Sequence, residues 1–473
     1  MEKSSKRIPT QSWQRSLSAS LAGIRAGGAL AVDSALNKTL RNNASENDRF
    51  ALREARRFAR QLGKLKGSYV KIGQMMALFG EHFLPAPLTQ ALHELGDSAQ
   101  PIDWQSIEPE LVARLGENYG LLAIEQTPLA AASLAQAHRA TIKHSGETLC
   151  LKAQYPDLAA VIDADFDTVV RLLVLARWLK AGQELDEWLA SMREQLHLEI
   201  DYLREAKLTQ QAASLTKSVA AREQRSSGCI RLHVPKVYPQ YSGEKLLALE
   251  LIQGVSVNDS KVQQLPKPRR NAIAKTMLDL FFREVFEWGL LQTDPNFGNY
   301  LLQLQDRRKR EADDTLVLLD YGAAVTLPVQ TQHALQQVII AGLKQNMPQL
   351  IKGLQALGWL KADASDHARE TFAGFCIDLL EPLRPAEQLP AAYLNKAGEY
   401  CWSQSQLIQR AGKQGARNAS SRHFSPPARD FMLLARKLTG VFTFIAVLDA
   451  EFNGYTIAEK YITQWQQHNK PGC

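Results

Sequence analysis

The stretch Gln292-Thr293-Asp294-Pro295-Asn296-Phe297-Gly298-Asn299, with Leu318-Leu319-Asp320-Tyr321-Gly322 after it, brackets two strand-like runs, residues 300–304 and 315–319. A charged tip containing Arg307-Arg308-Lys309-Arg310 joins them. Acidic and amide oxygens therefore stand at both ends of one short two-stranded element. Taken singly, each piece is ordinary: Asp-Pro-Asn-x-Gly-Asn has the composition of a turn with Asx capping, and Asp-Tyr-Gly occurs in any loop. Their order and spacing make them a candidate site. Magnesium takes hard oxygen ligands and completes its shell with water and phosphate oxygens, which Asn299 and Asp320 could arrange without a dedicated cage. The basic tip reads most simply as a solvated hairpin turn, with a phosphate or lipid headgroup contact as the alternative.

In protein kinases an Asp and an Asn five positions apart share the catalytic loop, and an Asp-Phe-Gly follows a short strand pair. Asp294 and Asn299 keep that interval here, and Asp320 opens the tripeptide. Asp294 would orient or deprotonate the attacking group, while Asn299 and Asp320 would hold Mg2+. Upstream, residues 137–142 and 148–153, separated by His144, Ser145 and Gly146, read as a β-hairpin. Lys152, on its second strand, takes the place of the kinase lysine that binds the α and β phosphates of ATP. Such a lysine needs an acidic partner on a helix. Residues 159–215 read as one helical stretch with Leu189, Met192, Leu196, Ile200 and Leu203 on an apolar face, and it carries Glu199, Asp201 and Glu205. On an ideal helix Asp201 and Glu205 share a face and Glu199 lies away from Glu205, so the two glutamates serve different partners. A second strand pair is expected at 234–238 and 245–252, with Glu250 on it as a further nucleotide-binding candidate.

The segment before Lys152 departs from a protein kinase. Where a glycine-rich loop would cover the phosphates, the chain reads Ala130-Ala131-Ala132-Ser133-Leu134-Ala135-Gln136-Ala137-His138. Each Cβ limits how closely the backbone approaches a ligand and which dihedrals it adopts. Ala130, Ala131, Ala132 and Ser133 are thus nucleotide-covering candidates of a different kind.

At 473 residues the chain exceeds one compact core. The expected segments are 1–45, basic and rich in small residues; 46–120, a helical extension; 121–255, a mixed lobe; and 256–473, a largely helical lobe. The helical unit before the first strands ends near Pro101. The 45% hydrophobic and 22% charged composition is that of a folding chain. Lys plus Arg exceed Asp plus Glu by 56 to 49, an excess that suits an anionic partner but is modest for this length; no nucleic-acid partner is expected. Five cysteines without a CxxC pair point to a reducing compartment. Residues 1–14 lack the apolar core of a secretory signal, and the uncharged apolar run 438–448 is far short of the roughly 20 residues that span a bilayer, so no transmembrane helix is expected. Gly23 and Gly27 form a GxxxG in a small-residue helix that reads as a packing helix. Residues 46–79 place Leu52, Phe58, Leu62, Leu65, Val70, Ile72 and Met75 at helical intervals.

Lys71-Ile72-Gly73-Gln74, the alanine-rich 130–138, Glu199-Ile200-Asp201 and the Gln-Thr-Asp-Pro-Asn loop occur in an order that resembles the UbiB family of atypical kinase-like proteins, linked to ubiquinone and other isoprenoid lipid metabolism. The resemblance runs from about Leu62 to Val325. It implies an α+β, two-lobed kinase-like fold in which the KxGQ extension packs over the place where a protein substrate would bind. It implies that Lys71 enters the active site and pairs with Glu199, leaving Glu205 for Lys152, with Gln74 and Asp201 as further motif residues. ATP and Mg2+ are the implied cofactors. The implied activity is that of an ATPase or small-molecule kinase supporting ubiquinone or isoprenoid lipid synthesis, with a nucleotide-sensing scaffold or, less in keeping with the alanine-rich segment, a protein kinase as alternatives. Implied partners are a lipid or quinone precursor, lipid-biosynthetic enzymes and a peripheral membrane surface met by Lys3, Lys6, Arg7 and Arg15 near Trp13; the implied location is the cytoplasm or the periphery of an inner membrane. Two residues depart from the pattern: Ala135 stands where many members have glycine, and Tyr321 replaces phenylalanine. The C-terminal hydrophobic spans of many bacterial relatives are also missing from the sequence.

Overall fold

Gly67 sits in the left-handed region at φ +61° and divides what the periodicity reads as one helix into α1 (Ala44–Leu65) and α2 (Ser68–Phe79). The computed structural model describes residues 44–65, 67–79, 83–95, 101–179, 183–222, 230–305, 313–419 and 429–469. The GxxxG of Gly23 and Gly27, the basic residues near Trp13 and the Arg307–Arg310 tip lie outside them. Phe58 and Leu62 of α1 and Tyr69, Ile72 and Met76 of α2 are buried against Leu88 and Leu92 of α3 (Ala86–His93). At Gly73, the glycine of KxGQ, a Cβ would lie 2.6 Å from Leu95 Cδ1, so its absence lets α2 lie close to the end of α3.

The chain after Pro101 builds α4 (Trp104–Leu115), opened by Asp103, whose side chain accepts from the Ser106 N–H. Strands β1 (Leu122–Ala131), β2 (Ala135–Ile142), β3 (Thr148–Gln154) and, after β4 (Arg231–His233) of the second unit, β5 (Leu246–Glu250) form an antiparallel sheet in the order β1-β2-β3-β5. The expected hairpin is present, pairing His138 with Leu151 and Ala140 with Leu149. Ile107, Leu111 and Leu115 of α4 cover Ile142, Leu149, Leu151 and Leu246 on one side of the sheet.

Three expectations need correcting. The alanine-rich segment is not a free loop: Ala130 and Ala131 belong to β1 and Ala135 to β2, which leaves a short turn between them. The strand expected at 234–238 is absent, because Pro235 and Pro239 interrupt the run and leave one isolated bridge, Val237 to Leu249. The helical stretch 159–215 is three helices, α5 (Leu158–Leu175), α6 (Gln183–Ile200) and α7 (Tyr202–Arg222). The first ends where Arg177 turns to φ +57°, and the break between the other two falls at Asp201.

Two compact units divide the chain. One holds the described residues up to Lys207 with Lys236–Leu251, and the other holds Leu208–Pro235 and the residues from Ile252 onward. In the first, Phe166, Val169 and Leu173 of α5 and Met192 and Leu196 of α6 extend the core of α1 and α2. The second is built on α8 (Lys267–Arg283), which continues into a π-helical turn, Glu284–Trp288, ended by Gly289 at φ +60°. Strand β6 (Leu290–Gln292) pairs antiparallel with β9 (Ala324–Thr326), and β4, β8 (Thr315–Leu318) and β7 (Tyr300–Gln303) form a three-stranded sheet. The later helices are α9 (Val329–Leu343), α10 (Met347–Ala356), α11 (Asp366–Leu379), α12 (Leu407–Ala419), α13 (Arg429–Val447) and α14 (Tyr455–His468). Of these, α13 and α14 pack on α8. Among the described residues no helix is long and apolar enough to cross a membrane.

Candidate functional site

In the first unit, β3 presents Lys152 so that Nζ donates to both carboxylate oxygens of Glu205, each at 2.9 Å. Glu205 is 2% exposed, and the same ammonium lies 5.1 Å from the centre of the Tyr202 ring. The local sequence explains the placement. Asp201 Oδ1 accepts the Arg204 N–H at 2.9 Å and its carbonyl accepts the Glu205 N–H at 3.0 Å, so Asp201 caps α7 and starts the turn that carries Glu205. The Gln154 side-chain amide, two residues beyond Lys152, donates to the Ile200 carbonyl and pins the end of α6 beside β3. Asp201 thus lies between two helices and not, as expected, on one helical face with Glu205; the aspartate of Glu-x-Asp works as an exposed cap.

Lys71 Nζ lies 2.7 Å from Glu199 Oε1, each side chain about a quarter exposed, so the two lysines take different glutamates. Gln74 donates to the Leu95 carbonyl at 3.5 Å. The alanine-rich turn is fixed from beneath: the Ala132 N–H donates to the Ala135 carbonyl at 2.8 Å, and Tyr155 donates its hydroxyl to the Ala132 carbonyl at 3.0 Å. Burial pushes the Tyr155 hydroxyl up to about 12, which keeps it a donor across the physiological range. Ala130 and Ala132 are exposed and Ser133 half-buried. Glu250 closes β5 and accepts the Lys236 N–H at 3.1 Å, a contact that fastens the strand end.

In the second unit, Gln292 gathers the acidic loops. Its side-chain amide donates to the Asp294 carbonyl at 2.8 Å and to the Asp320 carbonyl at 3.3 Å, while its oxygen accepts the Tyr300 hydroxyl at 3.0 Å. Asn299 Nδ2 donates to Asp294 Oδ2 at 2.8 Å, and the Leu319 N–H donates to the Asn299 carbonyl at 2.9 Å, which sets Asn299 beside Asp320. With Nδ2 donating to Asp294, the oxygen of the Asn299 amide is the side-chain atom that could accept or ligate. Asp320 Oδ1 accepts the Gly322 N–H at 2.7 Å, and Asn296 Oδ1 accepts the Gly298 N–H at 2.9 Å, both Asx turns that hold the loops in shape. An amide and a carboxylate are hard oxygen donors suited to a Mg2+ that takes its remaining ligands from phosphate and water. Among the described residues no group of three or more His, Cys, Asp or Glu is disposed around one ion.

Sequence reasoning expected a largely helical lobe here but missed the two residues of α13 that meet this loop. Arg436 of α13 donates from Nη2 to Asp294 Oδ1 at 2.6 Å. The next residue, Lys437, is fully buried; Nζ lies 2.8 Å from Glu284 and 3.4 Å from the Tyr300 hydroxyl. Burial pushes the Glu284 carboxyl up to about 6 against the pull of Lys437. Tyr321 is buried at 1% exposure, and burial raises its hydroxyl well above the usual tyrosine range. Neither Arg436 nor Lys437 falls in a motif. The signal that could have found them is Gly440, an isolated glycine in an apolar helix, which commonly marks close packing.

The family profile described as ABC1 atypical kinase-like domain matches residues 94–354. Over 409 residues the chain is 26% identical to the probable serine/threonine-protein kinase abkA of Dictyostelium discoideum, covering 85% of this chain and 69% of that protein. It is 27% identical over 393 residues to the mitochondrial atypical kinase COQ8 of Schizosaccharomyces pombe, covering 83% and 60%, and 24% identical over 396 residues to that of Saccharomyces cerevisiae, covering 83% and 73%. A Mycobacterium tuberculosis protein, Rv3197, solved in complex with erythromycin, shares the fold at a TM-score of 0.54 and 21% identity over 85% of this chain and 93% of its own. With a family profile matched over more than half its length and with COQ8 proteins among its relatives, the chain belongs to the ABC1/UbiB family of atypical kinase-like proteins.

Proposed function

We propose that this protein binds Mg-ATP and uses it as an ATPase or small-molecule kinase in support of ubiquinone or isoprenoid lipid synthesis. The observation that carries the reading is the loop cluster in which one amide, that of Gln292, ties the backbones of Asp294 and Asp320 together while Asn299 bridges to the Asp294 carboxylate. Asn299 and Asp320 would hold Mg2+, which when bound offsets the charge of the phosphate oxygens. Asp294 would orient the attacking group and take its proton. Lys152, paired with Glu205, would bind the α and β phosphates, with Ala130 to Ser133 covering them and Glu250 as a further nucleotide-binding residue. Lys71, paired with Glu199, would be a further catalytic residue, and Gln74 a further motif residue of the KxGQ helix.

The alanine-rich turn supports small-molecule chemistry over protein phosphorylation, because the N–H and carbonyl of Ala132 are engaged with Ala135 and Tyr155 and the Cβ atoms keep the backbone from wrapping a nucleotide as glycines would. The acceptor of the reading is water or a lipid or quinone precursor, met at a peripheral membrane surface or with lipid-biosynthetic enzymes, in the cytoplasm or at an inner membrane. A second reading, a nucleotide-sensing scaffold without turnover, is favoured by one observation: both Asp294 oxygens already accept hydrogen bonds, from Arg436 and Asn299. Measuring binding and hydrolysis on the same preparation separates them. Mg-ATP hydrolysis lost in Asp320→Asn supports the first reading; Mg-ATP binding with no hydrolysis in the presence of lipid or phenol-like activators favours the second. Quinone intermediates that accumulate in a deletion strain, and clear with the wild-type gene but not with Asp320→Asn, would identify the pathway.

A further inference from the structure

Arg436 lies outside every motif the sequence displays, yet its helix is built to deliver it. Arg436, Lys437, Gly440 and Phe444 recur at the intervals that share one helical face, and each meets the loop from Gln292 to Tyr300. Arg436 Nη2 is 2.6 Å from Asp294 Oδ1, and Lys437 Nζ is 3.4 Å from the Tyr300 hydroxyl. A Cβ on Gly440 would stand 1.9 Å from Pro295 Cβ, so helix and loop touch backbone to ring. The Phe444 ring lies 5.9 Å from those of Phe297 and Tyr300, edge on to both. Asp294 Oδ2, the other oxygen, accepts Asn299 Nδ2 at 2.8 Å. The carboxylate is therefore held at both oxygens from two independent elements, one of them a long helix packed closely on the loop at Gly440.

We propose that Arg436 is a positioning residue for Asp294: it fixes the plane of the carboxylate toward the attacking group and sets the rate of phosphoryl transfer without setting nucleotide affinity. This rests on the Mg-ATP reading above. In the step concerned, the attacking water or hydroxyl oxygen bonds to the γ-phosphorus and its proton passes to Asp294. The bond from the γ-phosphorus to the bridging oxygen breaks, and ADP leaves with the electron pair. A carboxylate free to rotate meets that oxygen in many orientations; one clamped at both ends meets it in one. A misplacement on the order of 1 Å costs about a hundredfold in rate. The guanidinium suits this work better than an ammonium, because its planar fork loses less freedom for each hydrogen bond it makes.

The test uses the full chain with Arg436→Met and Arg436→Lys, each alone and with Asp294→Asn. Mg-ATP affinity, kcat and KM for hydrolysis, and thermal unfolding are measured on all of them. The expected result for Arg436→Met is affinity and KM within about twofold of wild type, with kcat lower by about ten- to a hundredfold. Arg436→Lys should recover part of that loss, and in the Asp294→Asn background Arg436→Met should cost nothing further, since the two residues act as one unit. Unchanged kcat in Arg436→Met overturns the proposal alone. Equal losses in both backgrounds, or an affinity that falls in step with kcat, also overturn it, because the arginine then only supports the fold. If Arg436→Met does not fold, Arg436→Lys and its cycle with Asp294→Asn carry the same decision. Wild-type protein that binds no Mg-ATP, or binds it without turnover, overturns the proposal together with the reading it rests on.

Discussion

Replacing Lys152 by methionine removes an ammonium from a carboxylate that has almost no access to water. Glu205 is 2% exposed and receives both of its contacts with Lys152 at 2.9 Å. Breaking a buried ion pair by deleting one partner costs about 3–5 kcal/mol, since the remaining charge is left uncompensated. The Lys152 side chain is 26% exposed, so water already shares part of the solvation, and the expected cost for Lys152→Met falls somewhat below that range, at about 2–3 kcal/mol. Removing both partners leaves no orphan charge, and Lys152→Met with Glu205→Leu should recover most of the loss, to within about 1 kcal/mol of wild type. Urea unfolding measures this, with the transition of the first unit followed separately because two compact units need not unfold together. Nucleotide binding gives the second axis: Mg-ATP affinity should fall in Lys152→Met and stay low in the double variant. A double variant as unstable as the single one would refute the orphan-charge argument, and unaltered affinity in either would remove Lys152 from the nucleotide.

Other perturbations test other joints. Gly440→Ala places a methyl 1.9 Å from Pro295 Cβ, too close for any real contact, so the loop or helix must move; about 1–3 kcal/mol of stability and most of the hydrolytic activity should be lost, read by thermal unfolding and turnover. The Tyr321 hydroxyl is buried with no hydrogen-bond partner among the described residues, and Tyr321→Phe should raise stability by about 1 kcal/mol while leaving Mg-ATP affinity alone. The Glu284 carboxyl is raised from 4.5 to about 6. A raised folded value means the folded state holds the proton longer, so its contribution to stability is complete below pH 4.5 and is lost as pH climbs through 6, by about 2 kcal/mol. Glu284→Gln with Lys437→Met should flatten that part of the pH–stability curve, and an unaltered slope would place the titration elsewhere.

How much could be read from the chain alone follows from the kind of information each feature carries. The interval from Asp294 to Asn299 and the position of Asp320 after a strand pair are local, because turns and short strands fix them within a few residues, and the structure brings these residues together. Lys152 and its glutamate were legible from the motif order: the kinase pattern placed a lysine on the second hairpin strand with an acid on the following helix, and the family resemblance implied Glu205 as that acid. Asp201 was misread because a helix-wide periodicity hides a break at which an Asp side chain competes for backbone N–H groups. The first strand was missed because its alanines, Ala130 and Ala131, carry little strand preference and are set in register by β2 across the sheet. Arg436 was legible only indirectly, through the isolated Gly440 of its helix. Its partner is 142 residues away, and no local propensity reports a contact made by tertiary packing of α13.

The most direct test of the account is titration calorimetry of ATP into wild type, Asp320→Asn and Lys152→Met, with Mg2+ present and with it chelated. Wild type should bind one ATP per chain only when Mg2+ is present. Asp320→Asn should lose the Mg2+ dependence, and Lys152→Met should bind weakly in both conditions. Absence of binding in wild type, or equal binding by all three proteins with and without Mg2+, would contradict the assignment of Asn299 and Asp320 to the metal and of Lys152 to the phosphates.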